Sequence, residues 1–264
     1  MGGLTVLEAL RRTLPHENFL YLGDTARLPY GTKSRETVQR YAVQAARILV
    51  ERGVKALVVA CNTASAVALP ALQAHYAPLP VYGVVEPGAR NAAAAADDGR
   101  VLVLATESTV SGGAYQRCLL GMRPELRVLA RPCPLLVTLA EEGRHGGVLV
   151  KLALEEYLRG MLPPTSSHPV RTVLLGCTHF PVFRPALKQI LREAGVEDAA
   201  MVDSAETTAG AVAAEISEGR LDAAPADAAG ATLALMATDG RERFRRVGAY
   251  FLGHPIERVE LVDL

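Results

Sequence analysis

Short apolar runs alternate with helix-periodic segments almost from one end of this chain to the other, and that rhythm limits the fold more than any other feature. Strands joined through helices pair in parallel, so the fold class is α/β with mainly parallel sheets flanked by helices. The strand-like runs are Phe19–Leu22, Ala56–Ala60, Val81–Val85, Val101–Ala105, Arg127–Ala130, Thr172–Leu175, Ala200–Val202 and Thr232–Ala237, with a short final one at Arg258–Val262. Several are apolar throughout, as strands covered on both faces are. The clearest helix is Glu36–Arg52, where Val38, Tyr41, Ala42, Ala45, Ile48 and Leu49 make one stripe and Gly53 supplies a stop. Further helices are expected after Thr63, Pro87, Thr109, Pro181, Ser204 and Gly240 and around Val148–Gly160, with Gly219–Gly230 as a surface loop.

A chain of 264 residues fits one large domain or two small ones, and either can bury a proper core. Lys+Arg and Asp+Glu both total 28, so no bulk field holds the chain to nucleic acid or to a membrane surface. No stretch approaches the run of about 18 to 20 apolar residues that a membrane helix needs. The apolar segment Leu4–Leu10 contains Glu8 and lacks a basic lead, unlike a signal peptide. Cys61, Cys118, Cys133 and Cys177 are widely spaced, with no Cys-x-x-Cys pair for a metal or for redox exchange. A cytoplasmic protein with reduced thiols is the expectation.

Two of those cysteines stand in matching settings. Cys61 closes the run Leu57-Val58-Val59-Ala60 and precedes Asn62-Thr63, while Cys177 closes Val173-Leu174-Leu175-Gly176 and precedes Thr178-His179. Ligands of open α/β sheets bind beyond the carboxyl ends of strands, where both cysteines fall, together with Asp24, Thr106 and Asp203. A free thiol titrates near about 8.5, and a helix N-terminus lowers that value, so both turns are expected to favour a thiolate. His179 could relay a proton for Cys177. Two thiols facing one molecule from opposite sides could take a proton from one face and return it to the other. The plainer alternative is a pair of buried structural cysteines. Cys118, in a helical pattern, and Cys133, between Pro132 and Pro134, are read as structural.

The loop Gly23-Asp24-Thr25-Ala26-Arg27, followed by Pro29-Tyr30-Gly31, could bring backbone N–H groups to an anionic ligand or be an ordinary strand-to-helix connection. Thr106 and Thr109 could grip a carboxylate or cap a helix. His75, His145, His168 and His254 have no partner spacing and are read as surface or structural residues.

Taken in order, Gly2-Gly3-Leu4-Thr5-Val6, the Gly23–Gly31 loop, Ala60-Cys61-Asn62-Thr63-Ala64-Ser65, Val84-Val85-Glu86-Pro87-Gly88-Ala89 and Leu175-Gly176-Cys177-Thr178-His179-Phe180-Pro181 resemble the glutamate racemases over essentially the whole chain. The resemblance implies a cofactor-independent, two-base exchange of L- and D-glutamate that feeds peptidoglycan synthesis. It implies that Cys61 and Cys177 are the two bases and that Asp24 and His179 assist them, with Glu141 as a further assistant. It assigns Asn62, Thr63, Thr106, Thr109 and Thr178 to the α-amino and α-carboxylate groups, and Pro29, Tyr30 and Gly31 to the side-chain carboxylate. It implies two similar lobes around a cleft, residues 1–85 with 205–264 forming one and 86–204 the other.

The family carries a strand and an Asp-Ser-Gly turn ahead of its Gly-Gly-Leu-Thr-Val segment, whereas this sequence begins at Met1-Gly2-Gly3. The expectation is a start assigned at an internal valine codon, with a short form of low stability and little activity. Three rivals stay open: a related two-cysteine racemase or decarboxylase acting on aspartate or a hydantoin, a catalytically impaired binding protein, and a cysteine hydrolase using Cys177 and His179. No lysine sits in a motif suited to pyridoxal phosphate, and no cofactor or metal is expected. The oligomeric state stays open, a homodimer included.

Overall fold

The computed structural model describes residues 1–97, 99–162, 170–225 and 231–264. All strand pairs among them are parallel. One four-stranded sheet has the order β5 (Arg127–Pro132), β4 (Arg100–Ala105), β6 (Thr172–Gly176), β7 (Ala200–Asp203). Its central strands are apolar on both faces because both are covered: Leu102, Leu104, Val173 and Leu175 enter one buried cluster, while Val101, Val103, Ala105 and Leu174 enter another. Fully burying a leucine contributes about 1.5–3 kcal/mol, so these strands anchor the molecule.

The other strands form two separate sheets, β1 (Phe19–Gly23) with β8 (Leu233–Ala237) and β9 (Glu260–Leu261), and β2 (Leu57–Val59) with β3 (Val81–Gly83). Helix α2 (Arg35–Glu51) and helix α3 (Asn62–Tyr76) pack beside β2 and β3 around Val38, Ala42, Leu57, Leu72 and Val81. Ser34 caps α2 by accepting the Thr37 N–H at 3.2 Å, and Gly53, at φ +75°, ends it as expected. A single apolar cluster joins Leu4, Leu7 and Phe244 to Leu102, Phe180 and Phe183, so the core is continuous between the four-stranded sheet and the β1 sheet.

Several local expectations need correction. Val85 does not extend a strand: β3 stops at Gly83, and α4 (Val85–Ala95) begins two residues before Pro87, whose missing N–H costs nothing in a first helical turn. The helical stretch after Thr109 divides into α5 (Glu107–Ser111) and α6 (Ala114–Met122), because Gly113 takes φ +62° between them. Two helices had no expectation behind them, α1 (Gly3–Thr13) and α7 (Pro134–Glu141). Pro132 and Pro134 look like breakers in sequence, yet Pro134 occupies the first position of α7. The remaining helices, α8 (Val148–Leu158), α9 (Arg184–Glu193), α10 (Ser204–Ser217) and α11 (Arg241–Leu252), lie where the pattern indicates. Residues 226–230 of the expected Gly219–Gly230 loop, and His168, lie outside the described residues. Among those described, no helix is long and apolar enough to cross a membrane.

Candidate active site

Strand ends from all three sheets open onto one cleft of about 570 Å³. Cys61 follows β2 and Cys177 follows β6, and both line it. So do Asp24, Pro29, Tyr30, Gly31, Asn62, Thr63, Thr106, Glu141, Thr178 and His179. Thr109 stands behind this wall, with its hydroxyl 3.0 Å from Thr106 Oγ1 and 3.4 Å from Thr63 Oγ1; Thr63 and Thr106 are themselves 3.0 Å apart. The three hydroxyls tie the start of α3 to the start of α5, and their spare lone pairs and protons suit a polar ligand group. The cleft continues past the cysteines between β1 and β2, along Leu22, Ala42, Ala46 and Leu57.

The two cysteine turns differ in construction. Cys61 is part-exposed and is the N-cap of the 15-residue helix α3. Burial pushes its thiol up, while the backbone N–H groups of Ala64 and Thr63 pull it back toward the thiolate. Cys177 is buried and precedes a 3-10 turn, Phe180–Phe183, with the α-helix beginning only at Arg184. The expected helix N-terminus is therefore missing at Cys177, and burial drives its thiol up to about 12. The expectation of two lowered thiols gives way at both positions, because enclosure in an apolar wall outweighs the nearby N–H groups.

Cys177 has an imidazole in place of a helix. His179 Nδ1 lies 3.7 Å from its sulfur, and His179 Nε2 lies 2.7 Å from Glu141 Oε1. Burial would raise the Glu141 carboxyl, but the His179 contact holds it below the usual carboxylate range. Burial lowers His179, so its ring is neutral at neutral pH. Two groups meet Nε2, the ionised Glu141 at 2.7 Å, which calls for a proton there, and the Gly2 N–H at 3.1 Å, which calls for a lone pair. The shorter, charged contact puts the proton on Nε2 and leaves the Nδ1 lone pair toward Cys177. The ring fits because Gly2 has no side chain: a Cβ there would lie 2.5 Å from His179 Nδ1. Glu141 Oε2 is buried without a hydrogen-bond partner among the described residues, and Arg243 Nη2 stands 3.6 Å from it.

Asp24 is engaged differently. It accepts hydrogen bonds from Tyr30 Oη, from Arg27 Nε at 2.7 Å and from Thr238 Oγ1 at 3.1 Å. These bonds order the Pro29–Gly31 loop, and none of them reaches Cys61. Asn62 donates Nδ2 to Tyr115 Oη at 2.6 Å, and its Oδ1 accepts from Ser204 Oγ at 3.4 Å, leaving one amide hydrogen to spare. Tyr115, Ser204 and Arg243 stand in no motif that marks them for the site. A tyrosine in an apolar helical stretch was the one available signal, since a buried phenol needs a partner.

The residues read as structural stay away from the cleft. Cys118 is half-buried on α6, Cys133 is buried at the start of α7, and neither is in its wall. His145 packs edge-on against Tyr250, and His75 and His254 are exposed. Among the described residues no group of three or more His, Cys, Asp or Glu could hold a metal ion.

Residues 4–214 match the Asp/Glu/Hydantoin racemase family. The chain is 46% identical over 264 residues to a glutamate racemase of Geobacter metallireducens, covering 100% of this chain and 94% of that one. Its fold resembles the crystal structure of glutamate racemase from Thermus thermophilus in complex with beta-chloro-D-alanine, at TM-score 0.84 and 40% identity, covering 100% of this chain and 93% of that one. It also resembles glutamate racemase from Francisella tularensis in complex with D-glutamate, at TM-score 0.87 and 31% identity, covering 99% and 94%. With two strand-end cysteines on one cleft and likeness along its full length, the chain belongs to the Asp/Glu/hydantoin racemase family.

Proposed function

We propose that this protein interconverts L- and D-glutamate, with Cys61 and Cys177 as the two acid–base groups. The observation that carries this reading is one cleft lined by two cysteines, each at the end of a strand from a different sheet. One sulfur, as thiolate, takes the α-proton, and the other, as thiol, donates its own proton to the opposite face of the resulting carbanion. Bonds and charge balance between the two sulfurs, so the exchange itself requires no cofactor.

Neither thiol ionises freely at neutral pH, and each has its own route to a thiolate. Cys177 passes its proton to the neutral His179 ring, and Glu141 stabilises the imidazolium that forms. Cys61 relies on the N–H groups that open α3. Asn62, Thr63, Thr106 and Thr178 hold the α-amino and α-carboxylate groups, with Thr109 bracing the Thr63 and Thr106 hydroxyls from behind, and the Pro29–Gly31 loop, braced by Asp24, receives the distal carboxylate. D-glutamate for peptidoglycan is the product expected in a bacterial cytoplasm.

The test is solvent deuterium incorporation at the α-carbon, with each enantiomer of glutamate and of aspartate. Exchange with inversion of glutamate, and little with aspartate, is the expected result. Preference for aspartate would move the substrate to another branch of the family, and no exchange with either would leave a binding protein.

A further inference from the structure

One side chain outside the cleft touches the neighbours of both cysteines. Tyr115, on α6, is fully buried. Its hydroxyl accepts the Asn62 Nδ2–H at 2.6 Å, and Asn62 is the residue directly after Cys61. Its ring lies against Gly176, the residue directly before Cys177, where a Cβ would stand 2.8 Å from Tyr115 Cε2. Gly88 is packed against it less tightly, with a Cβ position 3.3 Å from the hydroxyl oxygen. Ser204 holds Asn62 from its other end at 3.4 Å.

We propose that Tyr115 is a positioning residue that keeps the two cysteine turns in register, its hydroxyl fixing the Asn62 turn and its ring supporting the Gly176 turn. A proton transfer that alternates between two sulfurs demands a fixed gap, because a displacement of about 1 Å can cost on the order of a hundredfold in rate. Each turn also has anchors of its own, Ser65 Oγ donating to Val59 O at 2.8 Å on one side and β6 paired on both edges on the other. The start of α1 also touches both turns, Thr5 Oγ1 donating to Thr178 O at 2.8 Å and Gly3 packing on Ala60, whereas Tyr115 bridges them through one side chain. Its two halves have separate duties. Removing the hydroxyl loosens the Cys61 side alone, and crowding the ring through Gly176 moves the Cys177 side.

The kinetic part of this inference rests on the two-cysteine reading, so the deciding experiment includes a measurement that needs no substrate. Tyr115→Phe and Gly176→Ala are compared with the unaltered protein by residue-resolved alkylation of Cys61 and Cys177 with iodoacetamide. Tyr115→Phe is expected to change the Cys61 rate at least threefold and leave Cys177 within its error; Gly176→Ala is expected to do the reverse. With glutamate, Tyr115→Phe is expected to lower kcat about tenfold with KM within about twofold, a loss of about 1.4 kcal/mol. The primary isotope effect should rise only for the enantiomer whose α-deuteron faces Cys61, assigned as the one whose exchange survives in Cys177→Ser. If Tyr115→Phe yields too little folded protein, Ser204→Ala should show the same asymmetry at smaller size. Unchanged alkylation of Cys61, or equal changes at both cysteines, overturns the inference whatever the substrate proves to be. Absence of turnover in the unaltered protein would overturn the function and leave the alkylation result standing.

Discussion

The Cys61 turn and the Cys177 turn look alike in sequence and are built on different physics. Cys61 caps a 15-residue helix and faces the cleft with some exposure. Cys177 is sealed in, lacks that helix, and is backed by His179 and Glu141. A dipole with fixed N–H groups supports one sulfur, and a neutral base with a carboxylate behind it supports the other. Near-symmetric chemistry does not require symmetric surroundings.

The comparison breaks most visibly if either sulfur is dispensable. Cys61→Ser and Cys177→Ser should each reduce racemisation by about a thousandfold or more, the size expected when an acid–base group is lost. A variant retaining a tenth of the activity by circular dichroism assay would remove that cysteine from the mechanism. His179→Asn should cost about a hundredfold, and the isotope effect should grow only in the direction that Cys177 begins. Equal growth in both directions would show that the imidazole does not serve one sulfur.

The pH profile sharpens the contrast further. Both thiols are raised, Cys177 to about 12, but Cys177 hands its proton to the neutral His179 ring within the site, so kcat/KM should change less than about threefold between pH 7 and 8. A climb of about tenfold per unit would mean that the thiolate forms by losing its proton to solvent and not to His179. The smallest effect is expected at Asp24, whose carboxylate orders a loop. Asp24→Asn should lower kcat/KM by about three- to tenfold, mostly through KM. A loss matching that of His179→Asn would make Asp24 the equivalent of His179 on the Cys61 side.

Much of the site was legible because its signals are local. An apolar run, a small residue, cysteine and then polar residues describe a strand end in any α/β protein, and Cys61 and Cys177 both obey it. Thr106 is likewise readable as the first polar residue beyond β4. What escaped depends on distant partners. The Glu141 and His179 pairing joins residues 38 apart, and Tyr115 meets Asn62 across 53. The thiol directions escaped because a dipole can be read from the next four residues, whereas burial is set by the whole cleft wall. Helix α7 was hidden by prolines that mark a start as readily as a stop.

The division of the remaining strands into two sheets sets an order of local opening. Among the described residues β2 and β3 pair with each other alone, over Leu57↔Val81, Val58↔Tyr82 and Val59↔Gly83, whereas β4 and β6 are flanked on both sides. A two-stranded ribbon has little cooperativity of its own, so its amides should exchange with solvent well before those of the four-stranded sheet. The Cys61 turn thus stands on the lightly braced bank of the channel and the Cys177 turn on its bedrock.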